Sequence, residues 1–235
     1  MTELVTVVIA VRNGSAFLGE ALDSAQAQTW PAIEIVVVDG HSTDGSREIA
    51  ESRSGVRVLL QQGSGFAGAW NEGIRWGRGT FVAILDSDDL WEPEKLRLQV
   101  AALEADPAKG YALCHTRLFL SDGVALPPEL AHIDLCRPHA APFPSALLCR
   151  RRLFDEVGFF EEQWSIASDV EWIRRLRDRG IEGVVLPETL AHRRIHQANL
   201  SSLPAGRSAF KRELLSILGA SVARRRREPA PGGSG

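Results

Sequence analysis

The first half of the chain alternates short, largely apolar runs with stretches of helical period. Residues 4–11 (LVTVVIAV) form an unbroken apolar run of strand length, and residues 34–38, 56–60 and 81–85 repeat the signal. Between the first two, Phe17, Leu18, Ala21, Leu22 and Ala25 recur at helical spacing over residues 15–28, with Ser15 placed as a cap. Residues 44–53 and 66–76 suit helices, and residues 92–104 carry Leu96, Val100 and Leu103 on one face. Strands this apolar need cover on both faces. The pattern therefore predicts an α/β fold, a mostly parallel central sheet flanked by crossover helices. In such sheets ligands bind beyond the carboxyl ends of the strands. That rule directs attention to Asn13, Asp39, residues 61–68, and Asp86 to Asp89.

The second half is less regular. Residues 121–145, rich in Pro, Ala and His, read as a long loop or insertion. Residues 151–157 and 168–179 are helical, the latter with Trp172, Ile173 and Leu176 as a stripe, and residues 182–186 form a strand. Residues 207–223 make an amphipathic helix, followed by Arg224 to Arg227 and a Pro/Gly tail. No repeat and no domain boundary interrupts the chain before about residue 205, so the expected units are 1–205 and 206–235.

Composition narrows the class. The chain has 235 residues, 44% hydrophobic and 24% charged, which are ordinary globular values. No window holds ~18 consecutive apolar residues, so no membrane span is expected. The opening MTELVTVVIAVRNG lacks a basic flank and reads as a first strand, not a signal peptide. Cys114, Cys136 and Cys149 lack paired spacing, which points to reduced thiols in a cytoplasmic protein. From Ser201 onward seven Lys/Arg face two acids, so the net charge of -3 divides into -8 for the body and +5 for the C-terminal end. An acidic body excludes sequence-independent nucleic-acid binding.

The sharpest chemical feature is Asp86-Ser87-Asp88-Asp89 directly after an apolar strand. Three carboxylates in four residues stay ionised together most easily around a cation, and hard oxygen ligands suit Mg²⁺ or Mn²⁺ bridging to a phosphate. The plainer account is a helix cap by Asp89. Asp39-Gly40, with Ser42 or Thr43 as a helix cap, ends another strand at the same edge; its carboxylate can accept from a nucleobase or a ribose. Gly63-Ser64-Gly65-Phe66-Ala67-Gly68 spells GxGxxG, but it follows the third strand and not the first, which counts against a dinucleotide site. It reads instead as a glycine-rich turn packed close to a sugar or phosphate.

The ordered set VTVVIAVRNG, EIVVVDGHSTDGS, GFAGAWNEGIRWGRGTFVAILDSDDLW, PSALLCRRRLFDEVGFFEE, ASDVEWIRRLRDRG and RRIHQANLS resembles the family-2 glycosyltransferases over residues 4–203. The resemblance implies a GT-A fold, a nucleotide-sugar half (1–115) and an acceptor half (116–205). It implies that Asp39, Val11 and Asn13 hold the donor's base, with Gly65 and Ser87 also beside the donor. Asp86 and Asp88 match the DxD motif, Asp86 towards ribose and metal and Asp88 on Mn²⁺ or Mg²⁺. Asp169 matches the general base of inverting members, although its spacing alone reads as a helix cap. His196 matches a histidine that reaches metal or diphosphate; the plainer reading is a surface histidine between arginines and polar residues. His115, His132, His139 and His192 carry no role, and Glu171 is a reserve base.

The chain departs from the family pattern at Ala10, Arg12, His41, Gly68, Trp70 and Ser168, which leaves donor identity open. Trp164 and Trp172 line an acceptor cleft or belong to the core. Arg150 to Arg152 bind an anionic acceptor or form a solvated turn. Phe210, Leu214, Leu215, Ile217 and Leu218 read as one apolar strip that meets either the body or an anionic membrane, at the inner face. The expected partners are a nucleoside-diphosphate sugar, first a UDP-sugar, and a glycan, glycolipid or natural-product acceptor. The expected reaction is inverting transfer; the rivals are a nucleotide-sugar-binding protein without turnover and a sugar-nucleotide nucleotidyltransferase.

Overall fold

The computed structural model describes residues 2–126, 134, 135, 137–140, 143–199 and 204–227. Cys136 and His132, and with them much of the loop expected over 121–145, lie outside the described residues, as does the tail from 228. The first half builds β1 (Val5–Val11), α1 (Ser15–Gln26), β2 (Ile33–Asp39), α2 (Ser46–Glu51), β3 (Val56–Leu60), α3 (Gly65–Trp76) and β4 (Phe81–Ile84). These strands lie in the order β3-β2-β1-β4 and are all parallel. Every residue of β1 and β4 is buried, which is why neither run alternates with polar residues.

The rest of the chain extends the same sheet. It supplies β5 (Leu90–Trp91), α4 (Lys95–Ala105), β6 (Tyr111–Leu120), β7 (Leu147–Arg150), α5 (Arg152–Val157), α6 (Ser168–Asp178), β8 (Gly183–Ile195) and α7 (Pro204–Arg227). The strand order continues β4-β7-β6-β8-β5, with β7 antiparallel to both neighbours and β6 parallel to β8. The central sheet is thus mostly parallel and flanked by helices, as the pattern predicted.

The periodic signal misses β5, β6 and β7 and stops β8 nine residues short. Pro187-Glu188 breaks the apolar run of β8. The pairing absorbs the break in a bulge: Cys114 pairs with Leu186, then His115 with Thr189 and Thr116 with Ala191. Beyond it β8 carries Arg193 and Arg194 alongside Leu118 and Phe119 of β6, respectively.

One expectation about charged residues changes, and one buried charge is new. Arg150 and Arg151 are not part of a solvated turn, whereas Arg152 is exposed. Arg150 donates to the carbonyls of Leu103 (2.7 Å) and Lys109 (3.1 Å), and Arg151 donates to the carbonyls of Gly79 and Ile74 and to Thr6 Oγ1. They clamp the end of the sheet opposite the strands' carboxyl ends, while Arg152 pairs with Glu156. Lys95, in the first turn of α4, is fully buried: its ammonium donates to Gln99 Oε1 (2.8 Å) and sits 4.0 Å over the Trp91 ring. Burial lowers its pKa to about 8. Cys114 and Cys149 are buried free thiols.

Candidate active site

The carboxyl ends of β2, β1 and β4 form one rim. Val11 pairs with Asp39, and Leu85 N–H donates to Val8 O (3.0 Å), which puts Asp86 on the far side of β1 from Asp39. Two inter-strand steps of about 4.8 Å separate the two aspartates, roughly 10 Å in all. The turns after β1 and β2 are laced together. Asn13, Gly14 and Ser15 N–H groups donate to Ser42 Oγ, Ser46 Oγ and Asp44 Oδ2, each at 2.9 Å, and Asn13 Oδ1 accepts from Thr43 N–H at 2.9 Å.

This lacing replaces the expected caps. Ser15 is the first helical residue of α1, and its N–H is satisfied from the other turn. Neither Ser42 nor Thr43 caps α2; Asp44 accepts from Ser46 N–H. Asp39 is buried and accepts from Ser42 N–H (3.1 Å). A Cβ on Gly14 would stand 2.9 Å from Val11 Cγ2 and 3.3 Å from Ser87 Oγ, so Ser87 lies directly against the β1–α1 turn. Gly65 opens α3 with φ +71, and a Cβ there would meet nothing within 4 Å, so its backbone conformation, not close packing, calls for glycine.

The Asp86–Asp89 turn is gripped by β8 and the residues after it. Asp88 Oδ2 meets His196 Nε2 at 2.9 Å and the Asn199 amide at 3.1 Å. Arg194 donates its N–H to Asp89 Oδ1 and its Nε to the Asp88 carbonyl, both at 3.0 Å, and reaches Glu20 at 2.7 Å. The His196 ring rests 4.6 Å from Phe17 of α1. Asp89 does not cap α4. It is buried, and it takes a hydrogen bond from Ser145 Oγ (2.6 Å), which itself accepts from Asp86 N–H (3.1 Å). Burial, and then the neighbouring Asp88 charge, push Asp89 up to about 7. Asp86 is pushed well above the usual carboxylate range by burial first and by Asp89 and Asp88 next.

Asp169 lies in the first turn of α6, buried, and burial pushes its carboxyl up to about 7 against the pull of its own and Val170's N–H groups. It is close enough for its charge to raise Asp86. Arg193, stacked 4.5 Å over Phe143, acts on all three acids: its charge lowers Asp86, Asp89 and Asp169. Glu171 is not a reserve base, because Arg175 (2.9 Å) and Arg224 (3.3 Å) hold it in the interior. Trp172 belongs to the core, stacked 4.8 Å from Phe154. Trp164 is half-buried with its indole N–H on Glu161 (3.1 Å). Trp70, one of the departures from the family pattern, is buried against Phe160.

A profile of the glycosyl transferase family 2 matches residues 6–161. The chain belongs to that family. An uncharacterized glycosyltransferase of Nostoc sp. is 30% identical over 219 residues, covering 83% of this chain and 66% of the relative. Glycosyltransferase GlyG of Streptococcus pneumoniae is 38% identical over 118 residues, 47% of this chain and 39% of its own length. The chain thus spans just under two thirds of the Nostoc relative and less of GlyG. Among solved structures, a Pyrobaculum calidifontis mannosyltransferase in complex with GDP-Man and Mn²⁺ superposes with a TM-score of 0.74 at 24% identity, covering 95% of this chain and 65% of that one. The S. aureus TarS 1–349 complex with UDP gives 0.68 at 19% identity, over 93% and 65%. These likenesses establish the GT-A fold.

In this family-2 chain the sequence-predicted Asp88 and His196 meet, and the charge of Asp169 acts on Asp86. Asn13 and Asp39 occupy the neighbouring rim. Among the described residues no three His, Cys, Asp or Glu side chains close into a cage. The donor set fits a hard cation all the same. Asp88 offers oxygen beside an imidazole, and the raised Asp86 and Asp89 are acids that a cation would relieve, with phosphate and water completing the shell. Arg193 and Arg194 escape a sequence reading that saw them only as neighbours of a surface histidine. The available signal is that successive strand residues point to opposite faces, so one of the pair must face inward.

Proposed function

We propose that this glycosyltransferase is a metal-dependent inverting enzyme that moves a sugar from a nucleoside-diphosphate sugar to an acceptor hydroxyl, with Asp169 as general base. The observation that carries the reading is the Asp169 carboxyl, buried beside the acidic turn and raised to about 7. A base with that pKa can take a proton near neutral pH, which is worth about 10²–10⁴-fold in rate. Asp39, Val11 and Asn13 take the base and ribose; Gly65 and Ser87 flank the donor. The roughly 10 Å step from Asp39 to Asp86 suits the reach from a nucleoside to its second phosphate. Mn²⁺ or Mg²⁺, held by Asp88 with Asp86 and His196, would neutralise the leaving diphosphate. Arg193 adds a fixed positive charge facing the same three acids. As Asp169 takes its proton, the acceptor oxygen would attack the anomeric carbon from the face opposite the diphosphate, forming the new C–O bond while the bond to the leaving diphosphate breaks, which inverts that carbon.

A UDP-sugar is the first donor to test, since UDP and GDP-sugar complexes occur among the structural neighbours. The acceptor, a glycan, glycolipid or natural product, is assigned to residues 116–205, with Trp164 as the aromatic platform. The setting is cytoplasmic polysaccharide or glycoconjugate synthesis. Among the described residues no helix is long and apolar enough to cross a membrane. The expected single strip on α7 is divided: Ile217 packs inward, Leu214 and Leu218 edge the groove against α6, and Phe210, Leu215, Leu218 and Val222 are exposed to solvent. This outer stripe is the surface for peripheral contact with an anionic membrane. Equal pelleting with anionic liposomes by the full chain and by its Leu215→Ser/Leu218→Ser/Val222→Ser form would end that part of the proposal.

The main test is a thermal-shift panel of UDP-, GDP- and dTDP-sugars with and without Mn²⁺, followed by donor turnover in wild type and Asp169→Asn. Ion-dependent shifts with turnover lost only in the variant support the enzyme. Equal turnover in both removes Asp169 as base, and donor binding without turnover in either leaves the binding-only rival.

A further inference from the structure

Helix α7 packs across α6, the helix that carries Asp169, and grips it at both ends. At the far end Arg224 Nε reaches Asp178 Oδ2 at 3.0 Å, and Ser221 donates to Asp178 Oδ1 at 2.7 Å while accepting from Arg174 at 2.6 Å. At the near end a single carboxylate does the holding. Glu213 accepts the N–H groups of Ser165 (2.9 Å), Ile166 (3.1 Å) and Ala167 (3.0 Å), and the Ser165 hydroxyl at 2.5 Å.

Three consecutive N–H groups aimed at one anion make a concave backbone nest, a conformation that the chain does not hold cheaply without its anion. The local sequence offers no substitute. The residue at the N-cap of α6 is Ala167, which has no side-chain acceptor. Burial pushes the Glu213 carboxyl up, but the bonds from Ser165, Ile166 and Ala167 bring it below its ordinary value, so it is ionised where the enzyme works.

The nest ends two residues before Asp169. On its other flank the chain is already pinned: Asn71 holds Phe160 through two hydrogen bonds (2.9 and 3.1 Å), and Arg175 holds the carbonyls of Val157 and Phe159 at 2.9 and 2.8 Å. Residues 161–167 therefore span from a fixed point at Phe160 to the base, and Glu213 supplies an anchor from outside that span.

We infer that Glu213 is a positioning residue for the transfer reaction, setting the place of the Asp169 carboxylate through the backbone of residues 165–167. This rests on the reading of Asp169 as general base. It gives the C-terminal stretch a role in catalysis at both of its ends: His196 and Asn199 orient Asp88 on the donor side, and Glu213 orients the base on the acceptor side.

The test compares Glu213→Gln, Ile217→Ala and Asp169→Asn in the whole 235-residue chain. Ile217→Ala removes α7 packing without touching residues 165–167. Glu213→Gln is expected to lower kcat about 10–100-fold, the scale of a small misplacement, with donor KM within about twofold. Its acid limb of kcat shifts below the wild-type position as water reaches Asp169. Ile217→Ala is expected to lower Tm at least as far while kcat stays within about twofold. Wild-type kcat and an unmoved acid limb in Glu213→Gln would overturn the inference. So would kcat losses in both α7 variants that simply follow Tm. An active Asp169→Asn would instead remove the base assignment beneath it, whereas a silent Asp169→Asn beside an unaffected Glu213→Gln rejects the role of Glu213 alone.

Discussion

Replacing Asp169 by Asn tests the electrostatics of the site through stability as well as rate. In the unfolded chain this carboxyl titrates near ~3.9. In the fold, burial raises it to about 7. Between those values the folded state binds more protons than the unfolded one, so stability falls as pH rises through the window and levels off above it. From the two pKa values the cost of the carboxylate is about 1.5 kcal/mol at pH 5 and about 4 kcal/mol at pH 8. Asn keeps the shape and carries no charge at either pH. The stability of Asp169→Asn minus that of wild type should therefore grow by about 2–3 kcal/mol from pH 5 to pH 8. Removing the Asp169 charge also relieves Asp86, which adds in the same direction. Urea unfolding of both proteins at the two pH values measures the difference directly. A difference that is flat with pH, within about 0.5 kcal/mol, would mean that the carboxyl is hydrated and titrates normally, and would refute the argument for a base tuned to neutrality.

Other outcomes follow from single contacts. Lys95 has a folded pKa of about 8, lowered by burial, so wild-type stability rises with pH up to the unfolded value near ~10.4. The advantage of Lys95→Met over wild type should shrink by about 3 kcal/mol between pH 7 and pH 10.5 in denaturant titrations; an advantage that does not change with pH would contradict this. Gly73→Ala places a Cβ 2.5 Å from Val8 Cγ1 and 3.3 Å from Val38 Cγ2, against rigid strand side chains. It should lose about 1–3 kcal/mol despite the better helix propensity of Ala. Gly68→Ala meets only ordinary contacts at 3.4–3.5 Å and should be neutral or mildly stabilising, so equal Tm losses in the two would refute the packing argument.

The parallel half of the chain is legible because its information is local. A strand buried on both faces is apolar at nearly every position, and the runs ending at Val11 and Ile84 declare themselves within a few residues; β2 and the half-exposed edge strand β3 keep enough of the same signal, with Glu34 and Arg57 at their less buried positions. The rim follows from the same logic, which is why Asn13, Asp39 and Asp86 to Asp88 could be named from strand ends alone. β6 and β8 fail that reading because His115, Thr116 and Arg117 and the Pro187-Glu188 bulge interrupt the period. Arg194 is tolerated there because the Asp turn accepts its backbone N–H and its Nε, whereas the buried Thr116 hydroxyl finds no partner among the described residues.

Tertiary structure alone decides which charges meet. Asp88 finds His196 across 108 positions, and Arg194 meets Asp89 across 105. Asp89 turns from a helix cap into a buried clasp on Ser145, and Glu213 reaches a nest 46 to 48 positions away. Hydrophobic periodicity records how each segment is buried, and that depends on its own neighbours in sequence. Coulomb and hydrogen-bond partners depend on distance in space, and no period along the chain encodes them.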